Sequence, residues 1–86
     1  MSDENLTRDA WEDEARRIVR AELARQDVTY KQLVKLLGGI GVDETERSIT
    51  NKLSRGSFQF VFALQVMAAL GVKVLDVQLR GAGKKV

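Results

Sequence analysis

The chain has 86 residues and 44% apolar content, which suits one folded domain and is too apolar for a disordered chain. It contains no cysteine and no histidine, which excludes disulfides, zinc–thiolate sites, thiol chemistry and imidazole acid–base catalysis. The net charge of +2 is unevenly spread: residues 1–27 hold 8 Asp/Glu against 5 Arg, whereas residues 28–86 hold 4 Asp/Glu against 9 Lys/Arg.

Residues 1–6 are polar and read as a disordered N-terminus, and the acidic first twenty residues do not resemble a signal peptide. Thr7 is placed to cap a first helix running to about Gln26, with Leu6 and Trp11 at the spacing of a hydrophobic staple. Trp11, Ala15, Ile18, Val19 and Leu23 share one face of it. Glu12–Arg16 and Asp13–Arg17 have the spacing of i,i+4 ion pairs on the outer face. Glu22 falls near the middle of the apolar stripe, so it sits at the stripe's edge or has a cationic partner.

Asp27 breaks the pattern. Thr29 followed by Gln32 is a capping box, predicting a second helix over roughly Tyr30–Leu37 that buries Leu33, Val34 and Leu37. Gly38-Gly39-Ile40-Gly41 then forms a turn, because three glycines in four residues cannot hold a helix, and Ile40 and Val42 are expected to tuck into the core. Asp43 with Glu46 repeats the capping spacing and predicts a third helix ending near Arg55, closed by Gly56. Ile49 and Leu53 are its inward pair, leaving Glu44, Arg47, Ser48, Asn51, Lys52 and Arg55 outward.

Ser57 is expected to cap a fourth helix running to Leu70. Gly71 sits at C′ there, and Val72 is placed to pack back on Met67 as in a Schellman motif. This helix is apolar almost all round, so any strip left uncovered in so small a domain would be a dimer interface. Residues 72–79 are rich in β-branched side chains and read equally as a short strand or a further helical turn. The domain thus covers residues 7–80, followed by a flexible basic tail, 81–86. No apolar run is long enough to span a bilayer, and the cytoplasm is the default location.

Two short helices joined by a glycine-containing turn form the skeleton of a helix-turn-helix. Over about residues 16–77 the chain resembles a lambda-repressor-like (Cro/repressor-type) helix-turn-helix domain. The resemblance rests on Val28-Thr29-Tyr30-Lys31-Gln32-Leu33-Val34-Lys35-Leu36-Leu37-Gly38, then Leu53-Ser54-Arg55-Gly56, then the stretch from Leu64 to Val72. It implies an all-α bundle of four to five helices in which the helix closed by Arg55-Gly56 is the recognition helix. Tyr30 stands where the family usually places a phosphate-gripping Gln. Leu23 and Ser54 stand where many members carry an Arg–Glu pair, so both partners are replaced together. More narrowly, Asn51-Lys52-Leu53-Ser54-Arg55-Gly56 with Thr29-Tyr30 is similar to an uncharacterised bacterial domain family of this type.

The expected function is therefore sequence-specific binding of double-stranded DNA by a small transcriptional regulator. Arg47, Ser48 and Asn51 carry side chains able to read base edges. Thr29, Tyr30 and Lys31, at a helix N-terminus, and Lys52 and Arg55 would meet phosphate. A homodimer through the Phe58–Leu79 region is expected, with no cofactor, metal or small-molecule ligand. The alternative of a different class is a protein–protein interaction module that kept the fold without the DNA. An enzyme is not expected, since no paired carboxylates or phosphate-cradling glycine motif accompany the missing His and Cys.

Overall fold

The computed structural model describes residues 6–79 and Gly83. It is all-helical, with four helices and no strand among the described residues: α1 (Arg8–Arg25), α2 (Tyr30–Gly39), α3 (Glu46–Arg55) and α4 (Phe60–Leu70). Apart from Leu6 and Gly83, the expected frayed N-terminus and basic tail lie outside the described residues. Residues 72–79 adopt neither of the two expected forms; they run as bends and irregular chain along the bundle.

The core is one cluster. Val19 and Leu23 of α1, Leu33 and Leu37 of α2, Ile49 and Leu53 of α3, and Phe62, Val66, Met67 and Leu70 of α4 are all buried in it. Each helix supplies residues one turn apart, so the 3.6-residue period brings them to one side. The cap at Thr7 is as expected: its Oγ1 accepts from the Ala10 N–H at 3.1 Å.

Three helix ends use one device. After α1, α2 and α4 a residue with positive φ (Asp27, Gly41, Gly71) is followed by a valine. The N–H of that valine, Val28, Val42 or Val72, donates to the carbonyl of Leu23, Leu37 or Met67, each at 2.9 Å. This is the Schellman bond, and it turns each valine back onto the core. Asp27 accepts the left-handed conformation, which short polar side chains tolerate better than most.

Several expectations change, beginning with the glycine-rich stretch: α2 runs on through Gly38 and Gly39, and only Ile40 and Gly41 form the turn. Glu12–Arg16 and Asp13–Arg17 do not pair. Arg16 turns across to α3, where its guanidinium donates to the Arg55 carbonyl at 3.3 Å and lies 3.6 Å from Asp13. Arg17 bonds Glu14 at 2.9 Å and the Gln78 carbonyl at 3.0 Å, tying the 72–79 segment to α1. Glu12 pairs instead with Arg8. Glu14 and Glu22 are both buried, 1% and 4% exposed, and Glu22 takes Arg25 as its cationic partner. A buried carboxylate needs such a partner to offset its lost hydration. Ile40 stays exposed while Val42 packs, because the Schellman bond fixes Val42 and not Ile40. Trp11 is also exposed, at the rim of an apolar groove of about 290 Å³ that Ile18, Phe58, Met67 and Leu75 also line.

The fourth helix begins at Phe60, and its cap position is Gln59, which makes no side-chain capping bond; Ser57 is not the cap. The chain between α3 and α4 is held close to α1 at Gly56 and runs extended before it turns, with Gln59 at ψ 150°. Phe58 packs edge-to-face on Phe62, ring centroids 5.5 Å apart. Along α4, Phe60, Val61 and Leu64 remain 71%, 57% and 53% exposed, so the bundle does not cover this helix.

Candidate nucleic-acid interface

The third helix is seated by two residues and two ends. Ile49 and Leu53 are completely buried, which turns Glu46, Arg47, Thr50, Asn51, Ser54 and Arg55 to solvent. Its cap is Thr45, two residues later than the Asp43 expected from sequence. Thr45 Oγ1 accepts from the Ser48 N–H at 3.0 Å, and Ser48 Oγ accepts from the Thr45 N–H at 2.9 Å. Val42 is pinned to the end of α2, and residues 43 and 44 run as irregular chain before the helix begins.

The far end is held more tightly. Gly56 has φ 71° and its N–H donates to the Lys52 carbonyl at 3.0 Å. A Cβ at this position would lie 2.6 Å from the Glu12 carbonyl oxygen and 2.8 Å from an Arg16 guanidinium nitrogen. Only glycine fits both the backbone angle and the approach of α1. Together with the Arg16–Arg55 carbonyl bond, this contact fixes α3 against α1.

The second helix begins at a complete capping box: the Gln32 N–H donates to Thr29 Oγ1 at 3.1 Å and the Thr29 N–H donates to Gln32 Oε1 at 2.9 Å. Tyr30 is half-buried and its hydroxyl accepts from Arg20 at 3.3 Å. Lys31 and Lys35 are exposed and line a shallow cleft between α2 and the start of α3, opposite Glu44, Thr45 and Glu46.

The residues expected to contact DNA thus fall into two groups. Arg47, Asn51, Lys31 and the side chain of Arg55 are exposed, and none makes a side-chain hydrogen bond or ion pair with another described residue. Thr29, Tyr30, Ser48 and Lys52 are already engaged within the protein. Ser48 Oγ donates to the Glu44 carboxylate, and the Lys52 ammonium donates to its other oxygen. The ammonium also lies 4.7 Å from the Phe62 ring centroid, a cation–π contact. Glu44, Ser48 and Lys52 were expected outward; all three are half-buried. Burial alone pushes the Glu44 carboxyl up, but the hydrogen bonds from Lys52 and Ser48, with the Lys52 charge, outweigh it and hold the group below its ordinary value.

Glu44 is the residue that sequence reasoning missed as an organiser. The signal was present: Glu44, Ser48 and Lys52 recur every four residues, a spacing that aligns them along one side of a helix and its entry. What this surface offers chemically is exposed hydrogen-bond donors and cationic side chains on a helix anchored from behind by Ile49 and Leu53.

No curated protein and no solved structure matches the chain. One protein family does, over residues 11–75, a span that holds all four helix cores, the Gly56 contact and the Glu44 cluster. The chain belongs to that family, described as a domain of unknown function (DUF6471).

Proposed function

We propose that this protein is a sequence-specific DNA-binding protein, a small transcriptional regulator acting in the cytoplasm, in which α2, the turn at 40–45 and α3 work as a lambda-repressor-like helix-turn-helix. The observation that carries the reading is the outward face of α3. Arg47 and Asn51 lie one turn apart, exposed and without partners among the described residues, on a helix anchored from behind by Ile49 and Leu53. In a major groove, Arg pairs bidentately with guanine and Asn with adenine. Lys31 and Arg55 are exposed and available for phosphates. A homodimer through the uncovered strip Phe60, Val61 and Leu64, within the 58–79 region, would present two such helices to a two-fold site.

Selection of bound duplexes from a random-sequence pool tests the reading. A sequence preference should emerge, and Arg47→Ala/Asn51→Ala should erase it at about 1–3 kcal/mol per contact. Failure to bind any duplex at low salt rules the function out. The exposed apolar strip of α4 also favours a second reading, in which the domain binds another protein through that strip. The two separate by salt: DNA affinity falls steeply as salt rises, whereas an apolar protein contact is much less sensitive.

A further inference from the structure

Of the three carboxylates around the entry of α3, Asp43, Glu44 and Glu46, one sits where it opposes the proposed function, and its partners explain why. Glu44 precedes the Thr45 cap, its side chain is 9% exposed, and its two oxygens are divided between Ser48 Oγ and Lys52 Nζ. Lys52 is one of the cations on α3, with Arg47 and Arg55. It alone of the three is held inward, between a carboxylate and the Phe62 ring. Glu46, two residues later, is exposed and forms no ion pair with a described residue. Glu46 and Glu44 therefore differ in kind: Glu46, like the exposed Asp43, adds negative charge to the surface, and Glu44 takes a positive charge out of use.

We propose that Glu44 is an internal competitor for the DNA backbone. Its carboxylate occupies the ammonium of Lys52 as a phosphate would, and so sets how tightly the domain holds DNA irrespective of sequence. This inference rests on the DNA-binding reading. Its value to a regulator is specificity. Backbone contacts strengthen binding to every sequence alike, whereas base contacts discriminate. Withholding one backbone cation lowers the affinity for bulk DNA and leaves Arg47 and Asn51 to decide where the domain stays.

The test uses the full chain and a mixed-sequence duplex, with affinity measured across a salt series. Each additional phosphate contact steepens the log–log salt slope by about 0.9, and at ~0.1 M salt this corresponds to roughly an eightfold gain. Glu44→Gln should show that gain and that steeper slope. Glu46→Gln, which also removes one negative charge, should change the affinity less and leave the slope alone. In Glu44→Gln/Lys52→Met the gain should vanish. An unchanged or weaker affinity for Glu44→Gln, a gain matched by Glu46→Gln, or a gain that survives loss of Lys52 each overturns the proposal.

A second measurement separates this outcome from failure of the DNA reading. Acylation of lysines by an amine-reactive ester, followed by mass spectrometry, should find Lys52 slower to react than Lys31 and Lys35, and faster in Glu44→Gln. Equal rates in the unmodified protein overturn the competitor role. If the slow rate is observed and no variant binds any duplex, the DNA-binding reading fails, and the proposed competition for DNA fails with it.

Discussion

Helices α3 and α4 are of nearly equal length, 10 and 11 residues, yet they meet solvent in opposite ways. Two fully buried residues are enough to seat α3, and the face left over is polar and chemically specific. The fourth helix has no charged residue at all; it buries four residues and still leaves Phe60, Val61 and Leu64 exposed. A helix with a narrow apolar stripe finishes its packing inside the bundle and is free to carry function outside. A helix apolar all round has more surface to bury than three neighbours of this size can cover.

The largest expected break in this contrast is between Leu53 and Leu64. Leu53→Ala should cost roughly 2–5 kcal/mol of stability in urea denaturation, because the side chain is fully buried. Leu64→Lys should leave the monomer's stability within about 0.5 kcal/mol, since its site is exposed. It should also abolish self-association in sedimentation if α4 is the dimer face.

The ends of the same two helices give the next contrast. Gly56 and Gly71 have nearly the same φ, 71° and 73°, but a Cβ at Gly56 meets the α1 backbone, and one at Gly71 meets nothing within 4 Å. Gly71→Ala should therefore cost about 1–2 kcal/mol, the strain of the left-handed backbone alone. Gly56→Ala should cost more, roughly 3 kcal/mol or above, because α1 must also move. Thermal or chemical unfolding of the pair checks the order.

Smaller still is the cap of α3. Thr45→Ala should cost about 1 kcal/mol, and Asp43→Ala only a few tenths, because Thr45 makes the capping bond. The smallest effect is on pH. Glu44 has a lowered carboxyl pKa in the folded protein, so its contribution to stability is present above the unfolded value, near 4.5, and is lost as pH falls through the lower folded value. Stability of the unmodified protein should thus drop more between neutral and acid pH than that of Glu44→Gln.

How much of this was legible in the sequence depended on range. The Thr29–Gln32 box, the Gly56 and Gly71 stops and the inward pair Ile49/Leu53 follow from spacings of a few residues, and the structure keeps them. The start of α3 was misplaced, because the Asp43–Glu46 spacing matched a capping box while the cap is made by Thr45 with Ser48. Glu14 could not be read at all. Glu12 and Asp13 beside it remain more exposed, and the nearby Gln78 carbonyl that shares Arg17 with it is more than sixty residues away in the chain. Of the residues expected to face outward, Arg47, Asn51, Lys31 and Arg55 are exposed. The engagement of Ser48 and Lys52 was hinted at by their four-residue spacing from Glu44, but it became definite only once the Thr45 cap placed Glu44 ahead of the helix.

The three valine-closed helix ends bear on how the chain finds this shape. Each stop is settled by a hydrogen bond spanning five residues, and the same residue that closes it enters the core. A helix boundary and a tertiary contact then form in one local event, with little loop-closure entropy to overcome. A chain organised in this way leaves few decisions to its slow, long-range contacts, the property that lets helical bundles fold faster than sheet proteins of similar size.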